Sequence, residues 1–109
     1  RYIWIFNMKL KDLKTIDINA KEWVDYANAN SYFSSKVTLN YGLHNEKIIK
    51  LPFQNGYDDA YIHQSLYQVG MLFPRSYWYD KFLQKYDIKN RYKIKISNSI
   101  LKNCKKNQL

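Results

Sequence analysis

Residues 32–53, YFSSKVTLNYGLHNEKIIKLPF, are the stretch on which the fold turns. The first part alternates as a half-buried strand does. Phe33, Val37, Leu39 and Tyr41 share one face, and Tyr32, Ser34, Lys36, Thr38 and Asn40 share the other. Gly42-Leu43-His44-Asn45 has turn chemistry, and Glu46 to Phe53 supplies a second strand. There Ile49, Leu51 and Phe53 share a face, with Lys47 at the strand end. Pro52 has no backbone donor, so this strand ends there or lies at a sheet edge. The stretch reads as a β-hairpin.

Upstream, Asn19-Ala20-Lys21-Glu22 has the form of a helix start. Asn19 can cap the first free N–H groups while Glu22 reaches back from the third position. Ala20, Trp23 and Ala27 then share a helical face that ends in the run Asn28 to Ser31. Before it, RYIWIF is apolar and β-prone and lacks the features of a secretory signal. Residues 1–7 read as an extension ahead of Met8, or as an added edge strand.

Downstream, Asn55-Gly56-Tyr57-Asp58 turns into a helix that Asp58 or Asp59 can cap. Its stripe is Ile62, Leu66 and Val69, and it ends near Gly70. Ser76 can cap a further helix, SYWYDKFLQKYD, with Trp78, Phe82 and Tyr86 in line. Residues 91–96, RYKIKI, alternate strictly and predict a strand. Residues 98–109 form a basic tail with room for a short helix through Ile100, Leu101 and Cys104. The expectation is a single α+β domain over residues 1–109. Its small antiparallel sheet, hairpin 32–53 plus basic strand 91–96, packs against two to four helices.

Composition narrows the class. The chain has 109 residues, of which 46% are apolar, enough for one modest core and too many for wholesale disorder. Uncharged stretches such as Ile3 to Met8 and Ser65 to Pro74 are shorter than the roughly 18 residues of a membrane span. With Cys104 as the one cysteine, an intramolecular disulfide and a multi-cysteine zinc site are excluded. These features describe a small, soluble, cytoplasmic protein with no cofactor.

The net charge of +9 is unevenly placed. Residues 1–80 carry 9 basic and 8 acidic groups, whereas residues 81–109 carry 9 basic groups and only Asp87. Abundant Lys, Asn, Ile and Tyr reflects an AT-rich coding sequence, but codon bias spreads lysine evenly and this chain does not. A localised basic segment points to an anionic partner. Arg91, Lys93 and Lys95 fall on one face of the predicted strand, about 6.6 Å apart, a spacing suited to a phosphate backbone. Lys81, Lys85 and Lys89 form a second row on the preceding helix, and Lys102, Lys105 and Lys106 extend the charge into the tail. Tyr77 and Tyr79 are candidates for stacking on unpaired bases, while Trp78, Phe82 and Tyr86 have core spacing.

Catalytic signals are sparse. His44 lies in a turn, and His63 pairs with Asp59 one helical turn away. No HExxH, clustered carboxylates or Gly-rich phosphate loop accompanies them, so no metal and no catalytic residue is expected. Cys104 has no histidine nearby in sequence.

Asn30-Ser31-Tyr32-Phe33, followed by Pro52-Phe53-Gln54 and Gly56-Tyr57, resembles a pattern in small accessory proteins of bacteriophages and mobile elements. The upstream Ala20-Lys21-Glu22-Trp23 segment resembles theirs too, and the likeness covers about residues 17–70. It implies a non-enzymatic accessory protein in the cytoplasm of a bacterial host. By analogy with anti-CRISPR proteins, such a protein would inhibit a host nuclease or ribonucleoprotein effector through its basic C-terminal face. The alternatives are direct binding of DNA or RNA, and a subunit of a large ribonucleoprotein from an AT-rich genome. Neither a membrane nor a small-molecule substrate is implied.

Overall fold

The structure, a computed structural model, describes residues 8–73 and 85–109. It is α+β. Strands β1 (Thr15–Asp25), β2 (Asn30–Leu39) and β3 (Lys47–Asn55) form an antiparallel meander, followed by helices α1 (Ala60–Gly70) and α2 (Lys85–Tyr92) and strand β4 (Lys95–Leu101). The sheet order is β3-β2-β1-β4, with β4 parallel to β1. The sheet is therefore mixed, not antiparallel. A parallel neighbour requires a crossover, and the helical segment between β3 and β4 provides it.

The hairpin forms where its alternation places it, with Val37 opposite Ile49 and Leu39 opposite Lys47. Phe33, Val37 and Leu39 are buried. Tyr41 lies beyond the strand and is exposed. β3 is the edge strand that Pro52 required, but its pairing skips: Phe33 faces Gln54 and Ser35 faces Leu51. β3 thus carries one extra residue, a bulge around Pro52 and Phe53, and the bulge flips Phe53 off the core face. Phe53 is 44% exposed.

The predicted helix at Asn19 is instead the interior of β1. Ile16, Ile18 and Ala20 are buried and alternate with Asp17, Asn19 and Lys21. A cap is worth about 1 kcal/mol, whereas a strand paired on both sides buries each large apolar side chain for roughly 2 kcal/mol. The period-two pattern wins. Ala20 and Trp23 consequently point to opposite faces, and Ala27 falls in the exposed β1–β2 turn.

α1 lays its expected stripe, Ile62, Leu66 and Val69, on the sheet's inner face, with Asp59 at the N-cap position. A buried hydroxyl pair, Ser35 and Ser65 at 2.8 Å, ties β2 to α1. α2 adds Ile88, fully buried. The strand expected over 91–96 begins four residues later. Arg91 and Tyr92 close α2, and Lys93 turns the chain at φ +58°. Ile94 and Ile96 are buried. The residues predicted as a basic tail instead form β4 and a segment that folds back. In that segment the Cys104 N–H donates to the Glu22 carbonyl at 2.9 Å, and Cys104 is buried. The proposed extension 1–7 and most of the helix predicted over 76–87 lie outside the described residues.

The alternation of the hairpin predicts Asn40 on its outer face. Asn40 is instead fully buried at φ +54°, where its side-chain oxygen accepts from the N–H groups of Lys14 (2.7 Å) and Thr15 (3.3 Å). Its amide donates to the Asp12 carbonyl at 2.9 Å. It locks the segment entering β1 onto the end of β2. Gly56 is constrained differently. A Cβ there would stand 2.6 Å from Phe33 Cε1 and 2.9 Å from the Ala60 Cβ. Gly56→Ala should lower unfolding stability by about 1–3 kcal/mol through overpacking. Thermal denaturation checks this, and an unchanged midpoint would show that Phe33 yields freely.

Candidate nucleic-acid interface

Both described α-helices carry core residues, and the core gathers the inward side chains of the strands: Ile16, Ile18, Phe33, Val37 and Leu51 among them. The outer face carries no α-helix among the described residues. Strand periodicity and register determine what it displays. Lys21 is opposite Ser34 on β2, Asn19 opposite Lys36, and Lys36 in turn opposite Lys50 on β3. On the β4 side, Ser97 donates to Asp17, and Ser99 donates to Asn19 at 2.8 Å.

Two residues beyond Lys21, Trp23 on β1 is opposite Tyr32 on β2, and the bulge brings Phe53 alongside from β3. Their ring centroids are 5.5 and 4.8 Å apart, with interplanar angles of 24° and 16°. The three rings make one stacked column across three strands. Lys106 places its Nζ 5.4 Å from the centroid of Trp23, a cation–π contact at the end of the column.

Beside the column runs an open trough of ≈ 520 Å³ lined by Lys21, Lys36, Lys50, Asn19, Ser34 and Phe53, with Gln108 and Leu109 also at its wall. Its lining contains three lysines and no Asp or Glu side chain. All three lysines are exposed. Among the described residues, none of their ammonium groups has a hydrogen-bond partner or an ion pair. Like charges directly opposed across strands, as at Lys36 and Lys50, cost a few tenths of a kcal/mol to about 1 kcal/mol. The face is therefore a concentrated cationic site whose repulsion an anion would relieve. In the β1–β2 turn, the Asn28 amide donating to Asp25 holds that carboxyl below its ordinary range. N–H groups of Asn28 and Ala27, and then Lys106, add to the effect.

The residues singled out from sequence scatter. Lys81, Tyr77 and Tyr79 lie outside the described residues. Lys85 donates from Nζ to Asn98 Oδ1 at 2.6 Å, and Asn98 bonds the Tyr61 hydroxyl, so Lys85 ties α2 to β4 on the helix side. Lys89 and Arg91 are exposed on α2, Lys93 lies in the link and Lys95 opens β4, so Arg91, Lys93 and Lys95 do not form a row. Lys102 and Lys105 are exposed beyond β4, and of the tail lysines Lys106 is the one that reaches the aromatic column.

Sequence reasoning missed Lys21, Lys36 and Lys50 as a group, put Trp23 on a helix, and placed Phe53 in the core. The period-two alternation running back from Lys21 to Ile16 was the signal that could have exposed the first error. Among the described residues, no group of three His, Cys, Asp or Glu side chains could hold a metal, and no helix is long and apolar enough to cross a membrane. His44 and His63 are both exposed. No family model matches the chain, and neither the curated proteins nor the solved structures contain a match to it.

Proposed function

We propose that the outer sheet face binds single-stranded nucleic acid. The observation that carries this reading is the trough itself: three lysines without a partner among the described residues, no carboxylate side chain, and in its wall Phe53, the end ring of a stacked aromatic column. A single strand needs both parts, cations for its phosphates and a ring face for an unpaired base. A duplex hides its base faces and gains from the cations alone. A solvated surface without a ligand gains nothing from setting Lys36 against Lys50, and strands ordinarily pair opposite charges there.

The test is fluorescence anisotropy with ten-nucleotide single strands of RNA and of DNA and with the corresponding duplex, over a salt series. Both single strands are expected to bind more tightly than the duplex, with log affinity falling linearly in log salt. Equal or tighter binding of the duplex would overturn the reading. The non-enzymatic, anti-CRISPR-like role suggested by the resemblance uses the same chemistry, in a host cytoplasm, on a strand held by an effector. Affinity purification distinguishes the two: one defined effector retained together with weak binding of free strands favours inhibition.

A further inference from the structure

We infer that the aromatic column accepts a single nucleobase, at its Phe53 end, while the lysine trough beside it takes the neighbouring phosphates. This rests on the single-strand reading above and specifies how that strand is held.

Three aromatic side chains on an open sheet could offer three platforms if they lay flat. These do not. Rings side by side in one plane would collide at centroid spacings of 5.5 and 4.8 Å, so near-parallel planes at those spacings mean rings standing on edge, face against face. Both faces of Tyr32 are therefore taken, one by Trp23 and one by Phe53. Beyond Trp23 the Lys106 ammonium occupies the column's end at 5.4 Å. Beyond Phe53 no further strand lies among the described residues, where β3 is the sheet edge, and Phe53 is 44% exposed. One face remains.

The same bulge that flips Phe53 outward sets it three residues from Lys50 on β3, with Lys36 opposite Lys50 and Lys21 on the next strand. A base stacked on Phe53 thus has its sugar–phosphate chain at the mouth of the trough, leading across β3 and β2 towards β1. Stacking reads the π-face that every base has, so the site tolerates any base at that position and needs none at the others.

The experiment uses ten-nucleotide RNA and DNA strands in two forms, fully based and abasic except for one fluorescent purine analogue whose emission is quenched on stacking. The one-base strand is expected to bind within about threefold of the fully based strand and to show quenching, since the column offers one open ring face among the described residues. Phe53→Leu, which removes the ring but keeps a side chain over Tyr32, should abolish the quenching and weaken both strands by about tenfold, the loss of one base–ring stack. It should leave the salt slope unchanged, and an unchanged slope also shows that the surface is still folded. Lys106→Ala should uncover Trp23, so that a strand carrying two analogues is quenched at both.

Quenching that survives Phe53→Leu would overturn the inference. So would a deficit of more than about tenfold for the one-base strand, which is the signature of several stacked bases. Failure of every strand to bind the unmodified protein instead removes the function proposed above.

Discussion

Replacing Lys21, Lys36 and Lys50 together with alanine is expected to weaken single-strand binding by about a hundredfold at 0.1 M salt. Each phosphate neutralised on a single strand contributes about 0.7 to the salt slope, so one contact is worth about fivefold at that concentration. Three contacts compound to about a hundredfold, and the slope falls by about 2. The fold should not suffer. All three side chains are exposed, and removing the Lys36–Lys50 opposition relieves a repulsion. The thermal midpoint is therefore expected to hold or rise slightly. A parallel variant, Lys89, Arg91 and Lys93 to alanine, samples the basic surface nearer the helices and should lose less than about threefold, because only the general field weakens. Should that variant lose the larger share, the ligand lies on the helix side and the trough is an ordinary solvated face.

The second large effect is on stability. Asn40→Ala is expected to cost about 3–5 kcal/mol, read from denaturant unfolding. It leaves the partly buried N–H groups of Lys14 and Thr15 and the Asp12 carbonyl without the side chain that serves them. Each such partly buried orphan costs about 1 kcal/mol, the low end of what a lost partner costs. Alanine must also hold φ +54°, which adds about 1 kcal/mol that asparagine largely escapes. Asn40→Gly separates the two causes. It accepts the backbone angle, so it should recover about 1 kcal/mol and no more. A total loss below about 1 kcal/mol for Asn40→Ala would mean that water replaces the side chain and the segment before β1 is held by other contacts.

The hairpin and α1 were legible because each is a local pattern. Phe33, Val37 and Leu39 alternate, Ile62, Leu66 and Val69 recur at helical spacing, and nothing distant contradicts either. Asn19 misled because its cap signal is local, whereas the evidence for β1 lies in what flanks it, β2 on one side and a strand some 80 residues away on the other. No window of sequence contains that pairing. Phe53 misled for a related reason. One inserted residue reverses every face beyond it, and Pro52 announced an edge without announcing a bulge.

The candidate site was less legible than the fold. Tyr32 and Lys36 could be placed on the outer hairpin face, but a trough of three lysines exists only once β1, β2 and β3 lie side by side in register. The concentration of charge after residue 80 marked residues that the described fold does not gather into one row. The described ones among them are distributed over a helix, a link, a strand start and a tail, while the lysines that converge come from the nearly neutral part of the chain.

The parallel pairing of β1 with β4 also orders events in time. Asp17 and Ser97, linked across that pair, are 80 residues apart, whereas β1, β2 and β3 pair through short turns. Closing so long a loop is slow compared with zipping a meander, so β1 waits with an open edge until the helical crossover has formed. Trp23, Tyr32 and Phe53 all belong to the early-zipping segment. Lys106 follows β4 in the chain and reaches Trp23 only after the late closure. A nascent chain therefore passes through an interval in which Trp23 is uncapped and the flank of β1 is unpaired. That interval, rather than the finished fold, is where this protein is most exposed to mispairing with another copy of itself.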